Sequence, residues 1–579
     1  MNKALNDIYK LIEESKIISF DIFDTLLLRP YMKPTDLFLH LEKITNKQGF
    51  YKVRNNAEQQ FYRLNGRKKE ADLEDIYNQI PDFKELKNKE LQLELSTLYL
   101  NKEIKTIYDY ALNSNKKIII ASDMYLSIEF IKKILNKNGI DGYDKIYISN
   151  DINKRKDTGT MYEYIIKDLN CNATDILHIG DNKYSDYIQA QKYGIKAFLY
   201  VPKFKISADK KIIKSYKNNK KNFTSSIMTK FISENSYKYK DYWTAFGYKY
   251  AGAFIFQYVS WIYDKCIKEN INNVLFIARD GYLLKKIFDI INKSNITSNY
   301  IYAPRIVNYV TNLEYDKNLE EQIDIICKYF NIDRNKFESN TGKNIDKLKD
   351  MAKIAKEKIG YGKYINQFIK NNLTNIAVVD TISNNLSAQK LIEKEINIKT
   401  TGLYVLSVKN KYVNQYYHNF VEKKLKNKFL RNNTSPLIEL ICSSPENPIV
   451  MFDNGHQIYQ DNITKEEEYR HEVYIKIEKG ILDFVKDILS VFQYEDIYFD
   501  NYTCMKHFLF YIDNLSKTDK KEISKIYKSI YADNSTYIPL MVRFVRFRGS
   551  VIPSTNKLYI FYFVISKFIF LLKKLSLIH

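Results

Sequence analysis

Within the first 205 residues, the polar groups able to do chemistry stand at the ends of apolar runs. SFDIFDTLLLRP supplies Asp21 and, three residues later, Asp24; IIIASDMY supplies Ser122; SNDINKRKDTG supplies Lys156; HIGDNKYSD supplies Asp181 and Asp186. In chain order these are a candidate nucleophile, a hydroxyl, a cation and an acidic pair. A carboxylate can attack phosphorus when the phosphoryl charge is offset, giving an aspartyl-phosphate that water then hydrolyses. Magnesium held by hard oxygen ligands supplies such an offset.

The elements that would carry these groups read as alternating strands and helices. A buried strand within residues 16–28 gives way to helical periodicity from about Pro34 to Lys105. Strands follow at Lys117 to Ala121, YDKIYISND, DILHIGD and KAFLYV, with helical stretches at 127–138, from about Thr160 and at SDYIQAQKYG. Such alternation predicts a parallel sheet covered on both faces. In sheets of this kind active groups gather at the carboxyl ends of strands, where each cluster above falls.

As a set, the four motifs resemble the haloacid dehalogenase superfamily, in family order and over roughly residues 1–205. The helical insertion at about 34–105 stands in the place of that family's type-one cap. The resemblance implies a Rossmann-like α/β fold and a magnesium ion. It makes Asp21 nucleophile and metal ligand, with Asp181 and Asp186 completing the metal site. Ser122 would hydrogen-bond a phosphoryl oxygen, and Lys156 would offset charge between Asp21 and phosphate. One position departs from the pattern. The family's phosphatases place a second aspartate, the general acid, two residues after the nucleophile, and here that residue is Phe23. Dehalogenases of the family carry an aromatic there, but GDNKYSD keeps the acidic pair that phosphate chemistry needs. Asp24 either reaches the leaving group as a substitute acid or is structural. A substrate with a good leaving group would need no acid. A cap over the site suits small substrates. Arg54, Arg63 and Arg67 on it either meet anionic substrate or are solvated.

Beyond residue 205, six lysines between Lys210 and Lys221 among asparagines make 206–225 read as a solvated linker or an exposed helix, and 206–240 is expected to be a basic linker. A second α/β domain is expected over 241–468: a long helix through Trp261, the strand NNVLFIARDG, the strand SNYIYAPR, a mostly helical insertion at 315–370, then NIAVVDT and TTGLYVLS. Its candidate site residues are Arg279 and Asp280 of the RDG turn, Arg305 and Asp380. They either take part in chemistry or form a local ion pair and a helix cap. The order of elements faintly resembles phosphoribosyltransferases, without that fold's glycine-rich loop or second acidic residue. The whole layout, including FDIFDTLL, the RDG turn and IELICSSPENPI, resembles large hydrolases associated with bacterial surface-polysaccharide and glycosyltransferase genes. It implies a sugar phosphate, nucleotide sugar or lipid-linked phosphate as substrate and a glycosyltransferase as partner. Two alternatives stay open: a non-catalytic scaffold that binds a glycosyltransferase or the membrane, and a bifunctional protein whose second half transfers a glycosyl or phosphosugar group.

The net charge is +22, from 90 Lys plus Arg against 68 Asp plus Glu. It favours anionic partners, but no nucleic-acid-binding signature accompanies it, so nucleic acid is not expected. Five cysteines, far apart and odd in number, argue for reduced thiols and a cytoplasmic protein, and against a disulfide framework or structural zinc. The N-terminal residues read as a polar amphipathic helix, not a signal peptide. Residues 469–579 are expected to be mostly helical, basic and apolar. Arg543, Arg546 and Arg548 among aromatics, with the apolar stretch Leu558 to His579, form either a peripheral contact with an anionic membrane or a buried terminal helix.

Overall fold

The computed structural model describes residues 3–553 apart from 67–68, 207–208, 219–221, most of 305–344, and 370–374, 384, 408–414, 432–433, 448, 530–536, 541–543 and 548–549. The chain divides into two compact units, Met1–Lys240 with Asp483–Thr503, and Asp241–Leu482 with the remainder. Arg305, Arg67, Arg543, Arg548 and the stretch Leu558 to His579 lie outside the described residues.

The first unit is built on β1 (Ile17–Phe20), followed by the short β2 (Leu27–Leu28) and β3 (Tyr99–Leu100), then β4 (Lys117–Ser122), β5 (Lys145–Ile148), β6 (Ile176–Gly180) and β7 (Lys196–Leu199). Its sheet has the order β5-β4-β1-β6-β7 and every pairing in it is parallel. β1 and β6 are buried at every position, which is why their sequences are apolar runs and not alternations. The connection that leaves β1 goes to β4 on one side, while β6 lies on the other. The chain direction therefore reverses between β1 and β6, which opens a crevice at their carboxyl ends.

β2 and β3 pair antiparallel, Leu27 opposite Leu100, and enclose the helical insertion Asp36–Thr45, Phe50–Asn65, Leu73–Asn78 and Lys87–Thr97. Arg54 is not a surface arginine of this insertion. It is 2% exposed, grips Glu90 through two hydrogen bonds of 2.8 and 2.6 Å, and stacks over Phe38. Arg63 remains exposed.

Residues 206–240 are not a linker. Helix Phe223–Asn235 is buried from Phe223 through Ser233, and Lys210–Lys217 is an amphipathic helix whose Ile212 and Tyr216 are buried while its lysines face outward. Ser226 donates to Asp36 at 2.6 Å and accepts from the Met32 amide at 2.8 Å, tying this helix to the start of the insertion. His40 is part of the same contact. Its Nε2 donates to the Asp496 carbonyl at 2.7 Å, so its Nδ1 accepts from the Tyr31 hydroxyl at 2.8 Å, and its ring stacks on Phe223.

The second unit has five parallel strands, β8 (Asn273–Ile277), β9 (Thr297–Ile301), β10 (Ile376–Ser383), β11 (Thr401–Ser407) and β12 (Tyr416–Asn419), in the order β12-β11-β10-β8-β9. Helices Gly252–Lys268, Gly281–Ile291 and Ser387–Ile396 accompany it. The described part of the C-terminal region is mostly helical, as expected, beginning with helix Lys465–Val491, and it also contains strands. After helices Asn501–Asp513 and Lys517–Ile523, residues 527–553 contain two antiparallel strand pairs, Tyr527–Ser529 with Tyr537–Pro539 and Phe544–Phe547 with Ser550–Pro553. FVRF, Phe544–Phe547, is a strand, as its aromatic and β-branched composition allows. Among the described residues no helix is long and apolar enough to cross a membrane.

Burial depresses the pKa of His40 from 6.5 to about 4. A depressed folded-state value means that stability is fully present above pH 6.5 and is lost as pH falls toward 4, because the unfolded chain takes up the proton first. The wild-type protein should lose about 3 kcal/mol over that interval from this one group. Urea denaturation of wild type and His40→Gln at pH 7 and pH 4.5 tests this; equal acid losses in both would show that His40 is not responsible.

Candidate active site

The site lies at the carboxyl ends of β1, β4 and β6. Asp21 follows β1 directly and is buried, and its amide donates to the Ile179 carbonyl at 2.9 Å. Ser122, the last residue of β4, is also buried. Lys156 reaches the centre from the loop after β5. Its Nζ donates to Asp21 Oδ1 at 2.6 Å and to Asp186 Oδ1 at 2.7 Å, with all three side chains nearly inaccessible. Asp123, not singled out by the sequence reading although it stands in the SDMY motif, fixes that loop: its carboxylate accepts from the amides of Lys156 at 2.8 Å and Asp157 at 3.3 Å.

Asp186 is the most firmly held group of the set. Its Oδ2 accepts from the Asn182 amide at 2.9 Å, and its Oδ1 also accepts from His178 Nε2 at 3.3 Å. The His178 Nδ1 accepts in turn from Ser19 at 2.8 Å, so the ring is a neutral relay between β1 and Asp186. His178 was missed in the sequence because a histidine inside an apolar strand reads as core. Gly180 is required here, since a Cβ would meet Asp186 Cγ at 2.4 Å. Asp181 is half-buried and paired with Lys205 at 2.6 Å.

Burial opposes ionisation at both ends of the Lys156 bridge, but with different outcomes. Asp21 is raised to about 7 by burial and by Asp186 and Asp181, in spite of Lys156. Asp186 also suffers burial, yet Lys156 and His178 overcome it and hold this carboxyl well below the usual carboxylate range. Burial would lower Lys156, but its two aspartates keep it firmly protonated. Burial lowers His178 and so favours its neutral form.

Carboxylate oxygens of Asp21, Asp181 and Asp186 lie within 4.8 Å of one another. Three convergent hard oxygen donors at the mouth of a crevice are the donor set that magnesium takes, and they fit the ion.

The position two residues after Asp21 contains no acid. Phe23 is 9% exposed, and the Arg29 guanidinium stacks over its ring at 4.0 Å while pairing with Glu94 at 2.8 Å. Asp24 takes a left-handed backbone conformation, φ 57°, and its amide closes a turn onto Leu27. Its carboxylate faces Lys230, 3.6 Å away on the buried helix Phe223–Asn235. Lys230 is fully buried, lies 3.1 Å from Glu234 and sits over the Phe204 ring at 3.2 Å. Lys230 carries no signal in the sequence, because its helix reads as linker. In the second unit, Arg279 and Asp280 follow β8, and Asp280 lies beside Asp380, which is within β10.

Residues 24–200 match the family model for haloacid dehalogenase-like hydrolase. The matched span includes Ser122, Lys156, Asp181 and Asp186; Asp21 precedes it and is placed with them by the geometry. Solved structures similar to this chain include a dehalogenase with an intermediate complex (14% identity, 33% of this chain and 86% of that chain, TM-score 0.26). Others are a phosphoglycolate phosphatase, named as predicted, from Haemophilus somnus 129pt (16% identity, 32% and 84%, TM-score 0.24) and a 2-haloacid dehalogenase from Pseudomonas syringae pv. tomato DC3000 (12%, 32% and 87%, TM-score 0.25). No curated protein matches the chain.

Removing the Lys156 ammonium leaves two buried carboxylates facing each other. In chelator-treated protein, Lys156→Met should lower the unfolding free energy by about 3 to 5 kcal/mol, as broken buried pairs do. Adding Asp186→Asn to that variant should recover part of the loss. A urea series giving a loss below about 1 kcal/mol would mean that the carboxylates are neutralised in another way.

Proposed function

We propose that this chain, whose residues 24–200 carry a haloacid dehalogenase-like hydrolase fold, is a magnesium-dependent phosphohydrolase or phosphotransferase acting through an aspartyl-phosphate on Asp21. The observation that carries this reading is the buried Asp21 carboxylate, bridged by Lys156 and sharing a 4.8 Å cluster with Asp181 and Asp186. Magnesium, held by those three aspartates, would supply the charge offset that lets a carboxylate approach a phosphoryl group.

The chain's own residues account for the remainder. An Asp21 oxygen forms a bond to phosphorus as the bond from phosphorus to the leaving oxygen breaks. Lys156 holds the nucleophile in place and offsets charge on the transferring group, and Ser122 offers a hydroxyl to a phosphoryl oxygen. Water, or an acceptor hydroxyl, then attacks the phosphorus of the aspartyl-phosphate, restoring the Asp21 carboxylate. The leaving oxygen takes its proton from solvent, since Phe23 occupies the acid's position and Asp24 faces Lys230. Substrates whose leaving groups are stable as anions, such as phosphoanhydrides and nucleotide sugars, are therefore favoured over simple sugar phosphates. Taken with the layout's likeness to proteins of surface-polysaccharide loci, we place the substrate among nucleotide sugars, sugar phosphates or lipid-linked phosphates of cell-envelope glycan assembly. A glycosyltransferase is the expected partner, and the setting is cytoplasmic with peripheral membrane contact through the C-terminus.

Two measurements test this. Phosphate release from a panel of these substrates should require magnesium and disappear in Asp21→Asn; release that persists in Asp21→Asn rules out the nucleophile. Phe23→Asp should raise turnover of a phosphomonoester by about 100- to 10,000-fold while changing that of an anhydride little. An equal effect on both would refute the missing-acid argument.

A further inference from the structure

The second unit has its own reversal point. Its sheet order places β8 between β9 and β10, so the chain leaves β8 toward β9 on one side and returns to β10 on the other. Ligands of open parallel sheets bind outside the carboxyl ends of strands at such a point. Here the RDG turn ends β8, and Asp380 and Thr381 lie in β10.

Charged groups of both signs converge there. Asp280, next to Asp380, accepts a hydrogen bond from Thr381. Arg279 and Arg470 both bond to Glu467, at 2.9 and 3.4 Å, and Arg470 also donates to Ser443. Arg279 takes a left-handed conformation, φ 69°, which a side-chain-bearing residue adopts at a cost and which active sites and ligand clamps concentrate. Its amide donates to the Tyr300 hydroxyl at 2.8 Å, and that hydroxyl donates to Glu446 at 2.7 Å. Gly281 begins an 11-residue helix directed away from the turn, where a Cβ would strike Phe276 at 2.7 Å.

The motif IELICSSPENPI, distant in sequence, completes this cluster. Glu439 and Cys442 adjoin Asp280, Ser443 receives Arg470, and Glu446 receives Tyr300. A separate observation points to a ligand. The Tyr474 hydroxyl is fully buried and has no hydrogen-bond partner, although Glu478, Cys442, Tyr282 and Tyr300 are its neighbours. A buried hydroxyl left unpaired costs about 1 to 3 kcal/mol, a penalty that a bound polar group would remove.

We infer that the second unit carries a binding site of its own at this reversal, for a small phosphate ester bearing hydroxyl groups, with Arg279 and Arg470 meeting the anion and Asp280 and Asp380 the hydroxyls. The two guanidiniums, held side by side by the shared Glu467, form the anion-binding side, and the two aspartates form the hydroxyl-binding side. Guanidinium groups match phosphate oxygens, and carboxylate oxygens accept hydrogen bonds from hydroxyls. Arg279 is about one-third exposed and Asp280 and Asp380 are partly exposed, so the groups are reachable from solvent.

Hydrogen exchange of the full chain carrying Asp21→Asn, with glucose 1-phosphate, uridine diphosphate or inorganic phosphate, tests this without dependence on turnover in the first unit. Slower exchange by several-fold at residues 276–284 and 378–383 is expected with one of the two organic phosphates and not with inorganic phosphate; which of the two acts identifies a free sugar phosphate or a nucleotide as the source. Calorimetry should then show binding at least tenfold weaker in Arg279→Gln and partly restored in Arg279→Lys. Protection only at residues 19–26 and 180–187, protection by inorganic phosphate equal to that by the esters, or no protection of the 276–284 segment by any of the three would overturn the proposal.

Discussion

The buried ammonium of Lys156 is the group on which the first unit's site depends. Two aspartates cannot share a water-poor crevice as anions without a counter-charge, and Lys156 is bonded to both. The bridge does not treat them equally. Asp186 has a backbone amide and His178 as further donors, so it remains an anion and anchors the lysine. Asp21 has the lysine and a long contact from Thr25 at 3.4 Å, and its carboxyl is the more readily altered of the two. One carboxylate is thus structural support and the other is left responsive, a separation of roles set entirely by environment.

The same economy explains Phe23. Its ring is packed under Arg29, whose other face is committed to Glu94, so this corner is a closed stack of hydrocarbon, guanidinium and carboxylate. The left-handed turn at Asp24 points the neighbouring carboxylate toward Lys230, so the chain has two acidic side chains near β1 with distinct partners: Lys156 for Asp21 and Lys230 for Asp24.

What the sequence made legible follows from range. Parallel strands announce themselves as short apolar runs, and the polar residue that ends each run is necessarily at the carboxyl edge; Asp21, Ser122 and Asp181 were readable for that reason. Helix Phe223–Asn235 was not, because Ser, Thr and Lys interrupt the apolar Phe223, Ile227, Met228, Phe231 and Ile232 that it buries, and Ser226 meets its partner Asp36 only in the fold. Arg54 was misjudged on the same ground: its partner Glu90 is 36 residues away. His178 looked like core and is core, yet its two ring nitrogens carry the link from Ser19 to Asp186.

Both sheets show why such links collect where they do. In the first unit the five main strands lie in the order third, second, first, fourth, fifth, and in the second unit second, first, third, fourth, fifth. The orders differ, but each contains one reversal, and at a reversal the loops leaving adjacent strands diverge to opposite sides. Backbone then cannot close over the strand ends, so side chains and a ligand must satisfy the polar groups exposed there. Asp21 and Asp181 occupy that place in one sheet, and Asp280 and Asp380 in the other. In the first unit a lysine of the chain completes the charge balance between carboxylates. In the second, Arg279 and Arg470 share Glu467, Asp280 accepts from Thr381, and the Tyr474 hydroxyl is left without a hydrogen-bond partner. The contrast lies in how each reversal is filled: by the protein's own ammonium in one unit, and by a ligand's phosphate and hydroxyls in the other.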